Sequence, residues 1–310
     1  MKNFCNKNVT VEAWYAICKS KELKRGVAKK FAIGPTIRVI IRRFRDGHVV
    51  ASQAYCPHMG TDLTLAKEMP GQRIKCAFHG LEFDKSGNCV SRGMENNPGY
   101  RLQIYPIKEQ YGLVWIYLGE TPKYEIPDLR FNGGFLLHLP SKKIKAHHHI
   151  VICNPLDSVH VGLVHSLEVH KCAFKRDGVN IKENVSGIYR SWWMKLLSRV
   201  YSKDMQIEFS SYGSSISVAD TAWHKSRVVI LFTARQDENN KCHTNTAVWI
   251  NSFNPLDWIR ALIIILIILK QDVDILNTIN VKTNFTDLDK GMVLFTDVVN
   301  GMPIYNSQVQ

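Results

Sequence analysis

Short apolar runs separated by turn residues fill the first third of the chain. Ala13-Trp14-Tyr15-Ala16-Ile17 and Thr36-Ile37-Arg38-Val39-Ile40-Ile41 each predict a strand, and Asp46-Gly47 predicts a hairpin turn into Val49-Val50-Ala51. Turn chemistry returns at Phe83-Asp84-Lys85-Ser86-Gly87-Asn88, and Leu113-Val114-Trp115-Ile116-Tyr117-Leu118 reads as a closing buried strand. Evenly spaced short strands predict a small antiparallel β domain that presents loops at one end. Gly119, Pro122, Pro127, Gly133 and Gly134 then break the pattern. The expected division is therefore a first domain over 1–118 and a second over 119–310, the second mixing strands with at least two helices. The expected class is α+β.

The most apolar stretch, 258–269, is too short to span a bilayer, which needs about 20 apolar residues. Being apolar on all sides, it predicts a buried core helix, with a membrane-surface contact or a greasy substrate channel as the alternatives.

Composition adds three constraints. A chain of 310 residues has ample length for a core. Its formal net charge of +13 admits nucleic acid, an anionic membrane or an acidic protein as partner. No helix-turn-helix signature or aromatic-interleaved basic repeat supports nucleic acid, so an acidic electron donor is preferred. The start, Met1-Lys2-Asn3-Phe4-Cys5, has no apolar signal core, so six of the eight cysteines, Cys5, Cys18, Cys89, Cys153, Cys172 and Cys242, are expected reduced and the compartment cytoplasmic.

Two constellations carry chemistry. Cys56-Pro57-His58 is followed, after seventeen residues, by Cys76-Ala77-Phe78-His79. Zinc fingers usually pair Cys with Cys and His with His, whereas alternating Cys/His pairs suit a [2Fe-2S] cluster with one iron on cysteines and the other on histidines. Pro57 and Gly60 bend the first loop, and Gly80 lets backbone approach the cluster.

The second is Asn154-Pro155-Leu156-Asp157-Ser158-Val159-His160, continuing to His165. Asn254-Pro255-Leu256-Asp257 repeats its first four letters without histidines, and both predict a helix start with Asn at the N-cap, Pro at N1 and an acid at N3. Capping explains Asn154 and Asp157 but not two histidines. Five residues apart, His160 and His165 lie about 140° apart on an ideal helix, so a kink or widened turn at Gly162 is predicted. Two histidines and a carboxylate with adjacent open positions make a non-haem iron(II) site. No glutamate follows Glu238, which leaves Asp257, Asp272, Asp274, Asp287, Asp289 and Asp297 as later candidates. His147-His148-His149 reads as strand, whose alternate residues face opposite ways, so packing or surface roles are expected there. Tyr189-Arg190-Ser191-Trp192-Trp193 reads as a core edge.

Cys56-Pro57-His58 and Cys76-Ala77-Phe78-His79 resemble the Rieske family, and Trp14-Tyr15 and Asp46-Gly47 extend the likeness upstream. The two extra cysteines of respiratory Rieske proteins are replaced at Thr61 and at Phe78 or Ala77, which points to the oxygenase or ferredoxin branch. Residues 154–165 match the Rieske non-haem iron oxygenase α-subunit motif Asn-x2-Asp-x2-His-x4-His. Gln271-Asp272 resembles the segment that supplies its carboxylate ligand, here Asp272, which also directly follows the apolar stretch. For Asp274, Asp287 and Asp289, surface or capping roles are preferred. Cys-Pro-His-Met-Gly adds a likeness to steroid-hydroxylating and sterol-desaturating branches.

The resemblance implies a Rieske domain followed by a helix-grip catalytic domain on an antiparallel sheet. It implies a [2Fe-2S] cluster on Cys56, His58, Cys76 and His79, and a mononuclear Fe(II) on His160, His165 and Asp272. A head-to-tail homotrimer would let Asp157 bridge His79 of one subunit and His160 of the next. NAD(P)H would supply electrons through a flavin reductase, with or without a ferredoxin. The expected reaction is hydroxylation of a lipophilic, apolar or polycyclic small molecule with O2, with oxidative demethylation or desaturation as the alternative. A protein that only transfers electrons is the reading from another class.

Overall fold

The computed structural model describes residues 3–95, 97–198, 205–223 and 226–305. Two compact units divide these residues, one over 8–123 with 237–239 and 304–305, the other within 3–7, 124–236 and 240–303.

The first unit is built from short antiparallel strands. β1 (Trp14–Lys19), β2 (Val27–Ile33), β3 (Ile37–Arg43) and β4 (Val49–Gln53) precede the metal-loop region. β5 (Lys67–Met69), β6 (Arg73–Lys75) and β7 (Glu82–Phe83) lie within it. β8 (Ile104–Tyr105), β9 (Ile107–Gln110) and β10 (Leu113–Tyr117) complete the unit. They form sheets of order β1-β10-β9, β2-β3-β4-β8 and β5-β6-β7. Trp14 and Trp115 are fully buried, and Trp14 packs edge-on against Tyr117. The small β5-β6-β7 sheet holds the second metal loop at the β6–β7 turn.

The second unit opens with β11 (Phe135–His138), β12 (Lys142–Ile144), α1 (His148–Cys153) and α2 (Ser158–Val164). β13 (Leu167–Asp177), β14 (Asn180–Tyr189), α3 (Trp192–Ser198), β15 (Met205–Tyr212) and β16 (Ile216–Trp223) follow. β17 (Ser226–Gln236), β18 (Cys242–Ile250), α4 (Pro255–Leu276) and α5 (Lys290–Gly301) end it. The eight strands make one antiparallel sheet of order β11-β18-β17-β16-β15-β14-β13, with β12 also on β18. The α+β class follows directly.

Four local expectations are corrected. His147-His148-His149 is not strand. His147 is the N-cap of α1, its Nδ1 accepting the His149 N–H, and all three rings are buried. Asn154 is not an N-cap but the C-cap of α1, which runs straight into it and holds it at φ −50°, ψ −43°. An N-cap needs extended backbone, and Asp157 takes that role for α2, accepting the His160 N–H at 3.0 Å. The same tetrapeptide at Asn254 does start a helix, with Asn254 extended and accepting the Leu256 N–H. What precedes the Asn decides between the two.

The third correction concerns Gly162, which lies within an unbroken α2. A Cβ there would sit 3.3 Å from the Leu167 carbonyl oxygen, so Gly162 admits the returning chain rather than bending the helix. Fourth, α4 is not a core helix. Ala261, Ile264 and Ile265 are buried, while Leu256, Ile259, Ile263 and Leu266 are 40–55% exposed. Among the described residues no helix is long and apolar enough to cross a membrane. The 189–193 run is split, with Tyr189 buried and Trp192 exposed.

Candidate metal centres

The two loops of the first unit share one backbone design. Cys56 N–H donates to Thr61 O and Cys76 N–H to Leu81 O; Gly60 N–H returns to Cys56 O and Gly80 N–H to Cys76 O. Gly60 and Gly80 close these turns at φ +72° and +73°, where a side chain is strained. Buried Arg42 braces the first loop by donating to Leu63 O and Ala66 O at 3.0 and 3.1 Å. Both cysteines are buried in an apolar cluster with Leu63, Leu81 and Phe83, while His58 and His79 are exposed with ring centroids 4.7 Å apart.

Burial is the main cause that pushes the Cys56 thiol up to about 11; His58 and Met59 N–H groups aimed at the sulfur oppose it, and the adjacent Cys76 adds to it. Two buried sulfurs side by side and two imidazoles at the surface suit a two-iron cluster with unlike ends. Among the described residues these four do not close into a set that one ion could bind, as a zinc site would require. The donor set fits [2Fe-2S].

In the second unit, His160 Nε2 lies 2.9 Å from Asp272 Oδ1, His165 Nε2 lies 3.1 Å from the same oxygen, and the two ring nitrogens are 3.2 Å apart. An octahedral ion with bonds of about 2.1 Å has neighbouring ligands about 3.0 Å apart, so the triangle matches one face of such an ion. The imidazoles converge because α2 ends at Val164. His165 is its C-cap at φ −98°, ψ 6°, followed by Ser166 at φ +58°.

Asp272 comes from the buried side of α4. Burial would raise its carboxyl, but His160 and His165 outweigh that and hold it at about 2. Burial would likewise lower His165, whereas Asp272 and Gln271 raise it. His165 Nδ1 faces Gln271 Oε1 at 3.1 Å, a partner that reading the sequence for ligands overlooked. The competing carboxylates are engaged elsewhere. Asp274 pairs with exposed Lys270 at 2.7 Å, Asp289 forms a capping box with Thr286, and Asp257 accepts from Ser252.

Beside the triangle is a largely apolar cavity whose lining includes Val161, Leu167, Ile207, Phe209, Ile230 and Phe232. The β15–β17 residues alternate along their strands, and the register sets Ile207 against Thr221, Phe209 against Ala219 and Ala219 against Ile230. A second cavity, under Leu266, Leu269 and Val273 of α4, shares Asn154, Pro155, Phe232 and Asp272 with the first.

A model of the Rieske [2Fe-2S] domain matches residues 13–106. Residues 13–106 therefore carry a Rieske [2Fe-2S] domain. A crystal structure of dicamba monooxygenase bound to dicamba superposes with a TM-score of 0.71 at 17% identity, covering 96% of this chain and 97% of that one. Cholesterol 7-desaturase nvd of Bombyx mori is 32% identical over 160 residues, which are 49% of this chain and 35% of the relative. The toluene-4-sulfonate monooxygenase iron-sulfur subunit TsaM1 of Comamonas testosteroni is 29% identical over 140 residues, 41% of this chain and 38% of the relative. The chain thus aligns with well under half the length of these curated relatives.

Proposed function

We propose that this chain is a Rieske non-haem iron oxygenase α subunit that uses O2 and externally supplied electrons to hydroxylate an apolar or polycyclic small molecule. The observation that carries the reading is the His160–His165–Asp272 triangle, with edges of 2.9–3.2 Å, beside an apolar cavity in a chain that also holds a Rieske domain. When bound, the cluster passes single electrons and a ferrous ion activates dioxygen next to substrate.

Cys56, Cys76, His58 and His79 would hold the cluster, and His160, His165 and Asp272 the iron. His165 Nδ1–H would donate a hydrogen bond to Gln271 Oε1, which leaves the Nε2 lone pair for the metal. Phe209, Ile230 and Phe232 would exclude water and receive the apolar part of the guest, with Thr221 and Asn154 as polar contacts that orient it.

Asp157, three residues before His160 and the N-cap of its helix, would carry electron transfer between subunits of a head-to-tail homotrimer. NAD(P)H would feed the cluster through a flavin reductase or ferredoxin. The proposed compartment is the cytoplasm, where cysteines stay reduced.

Oxidative demethylation or desaturation would use the same residues, and the product distinguishes it. The test joins iron analysis to turnover of a chemically diverse panel under isotopically labelled O2. About three irons per chain and labelled product are expected; about two irons and no oxygenated product would leave only an electron carrier.

A further inference from the structure

Along α4, Leu256, Ile259, Ile263 and Leu266 are 55, 53, 40 and 52% exposed. At 100° per residue they fall on one stripe of the helix. The packed neighbour α3 adds Trp192 and Leu196, 75 and 53% exposed. A soluble surface rarely leaves so much aliphatic and aromatic area together without a use.

The stripe is continuous with the second cavity. Leu266 belongs to both, and Leu269 and Val273 continue the wall inward to Asp272. Lys142 also lines this cavity, and Lys142, Lys143 and Lys145 form an exposed basic segment with no acid between residues 139 and 150. Of the other charges nearby, Lys270 pairs with Asp274 and Arg190 with Glu168, while Arg260 on α4 and Lys195 on α3 add further positive charge.

We propose that the exposed stripe of α4, with Trp192 and Leu196, docks on an anionic lipid surface, and that lipophilic substrate enters from the bilayer between α4 and the sheet. Charge decides the occupant. A chain of net charge +13 with lysines at the cavity mouth is attracted by acidic headgroups. Aliphatic side chains on one helix face, an exposed Trp and flanking Lys are what an interfacial helix requires. The entry route rests on the oxygenase reading; the docking does not.

Flotation of the full chain with vesicles of phosphatidylcholine, with and without phosphatidylserine, tests the docking whatever the triangle does. Binding is expected to the mixed vesicles and to weaken with salt. Lys142→Ala and Lys143→Ala should each weaken it about fivefold, the factor that corresponds to about 1 kcal/mol per basic side chain near an anionic surface. Ile259→Glu with Ile263→Glu should abolish it while the circular dichroism spectrum is retained. Wild-type protein that ignores mixed vesicles would overturn the proposal. So would a folded double variant that still floats, or one that floats normally but sediments as a smaller oligomer, which would mark the stripe as an interface between copies.

Discussion

His165 Nδ1 lies 3.1 Å from Gln271 Oε1, and the residue after that glutamine is Asp272. One turn of α4 therefore supplies both the third donor of the triangle and the acceptor that fixes the tautomer of the second. Outer partners of this kind typically change metal affinity by 10- to 100-fold. Gln271→Leu should weaken iron binding by roughly that factor and leave the Rieske spectrum intact, as measured by iron titration and visible absorption.

Asp272 and Asp274 can be separated experimentally. Asp272→Ala should drop iron from about three to about two per chain without loss of the cluster's absorption. Asp274→Ala, which breaks only an exposed pair with Lys270, should change neither iron content nor stability by more than about 0.5 kcal/mol. Elemental analysis of the two variants side by side checks both statements.

Asp157 caps α2 as well as lying beside His160, so its two contributions need different substitutions. Asp157→Ala should cost about 1 kcal/mol from the lost cap. Asp157→Asn can still accept the His160 N–H and should stay close to wild type in stability. With both centres loaded, the Asn variant should nonetheless stop coupled turnover. Wild-type turnover in that variant would reduce Asp157 to a helix cap.

Glu183 on β14 is fully buried, and burial pushes its carboxyl up to about 7. Cys172 and Ser158, which donate to it, pull downward, and Asp157 nearby pushes upward. An unfolded glutamate titrates near about 4.3, so the folded state holds the extra proton between about pH 4.3 and 7. Stability contributed by this group is therefore present below about pH 4.3, falls as pH rises and is gone above about 7. Glu183→Gln should be more stable than wild type above about pH 7, by at most about 4 kcal/mol, with the gap closing in acid. Urea melts across this range give the difference directly.

The metal loops were legible because each is a local object: Cys, His and Gly within five residues fix both donors and turn. His160 and His165 were legible as types, but how they converge was not. Sequence pointed to a kink at Gly162, whereas the helix simply ends and hands His165 to a sharp turn. The Asn-Pro-Leu-Asp pair shows why capping was misread at one site. An N-cap is defined by the backbone arriving before it, and at Asn154 that backbone is already helical. His147 was misread for the same reason, as a rare histidine cap seen as part of a strand. Exposure of α4 was hidden because an all-apolar run carries no polar face to reveal which side lacks a neighbour. Glu183, between Lys182 and Asn184, looked like ordinary strand polarity; helix packing on β14 and the Cys172 and Ser158 side chains that reach it are not visible in that pattern.

The depth difference between the two halves of the [2Fe-2S] loops has an electrical meaning. Leu63, Leu81 and Phe83 insulate the sulfur side, while the imidazole side is bare. A cluster held by these four residues would meet donor and acceptor alike on its imidazole side, so the two would compete for one small patch of surface.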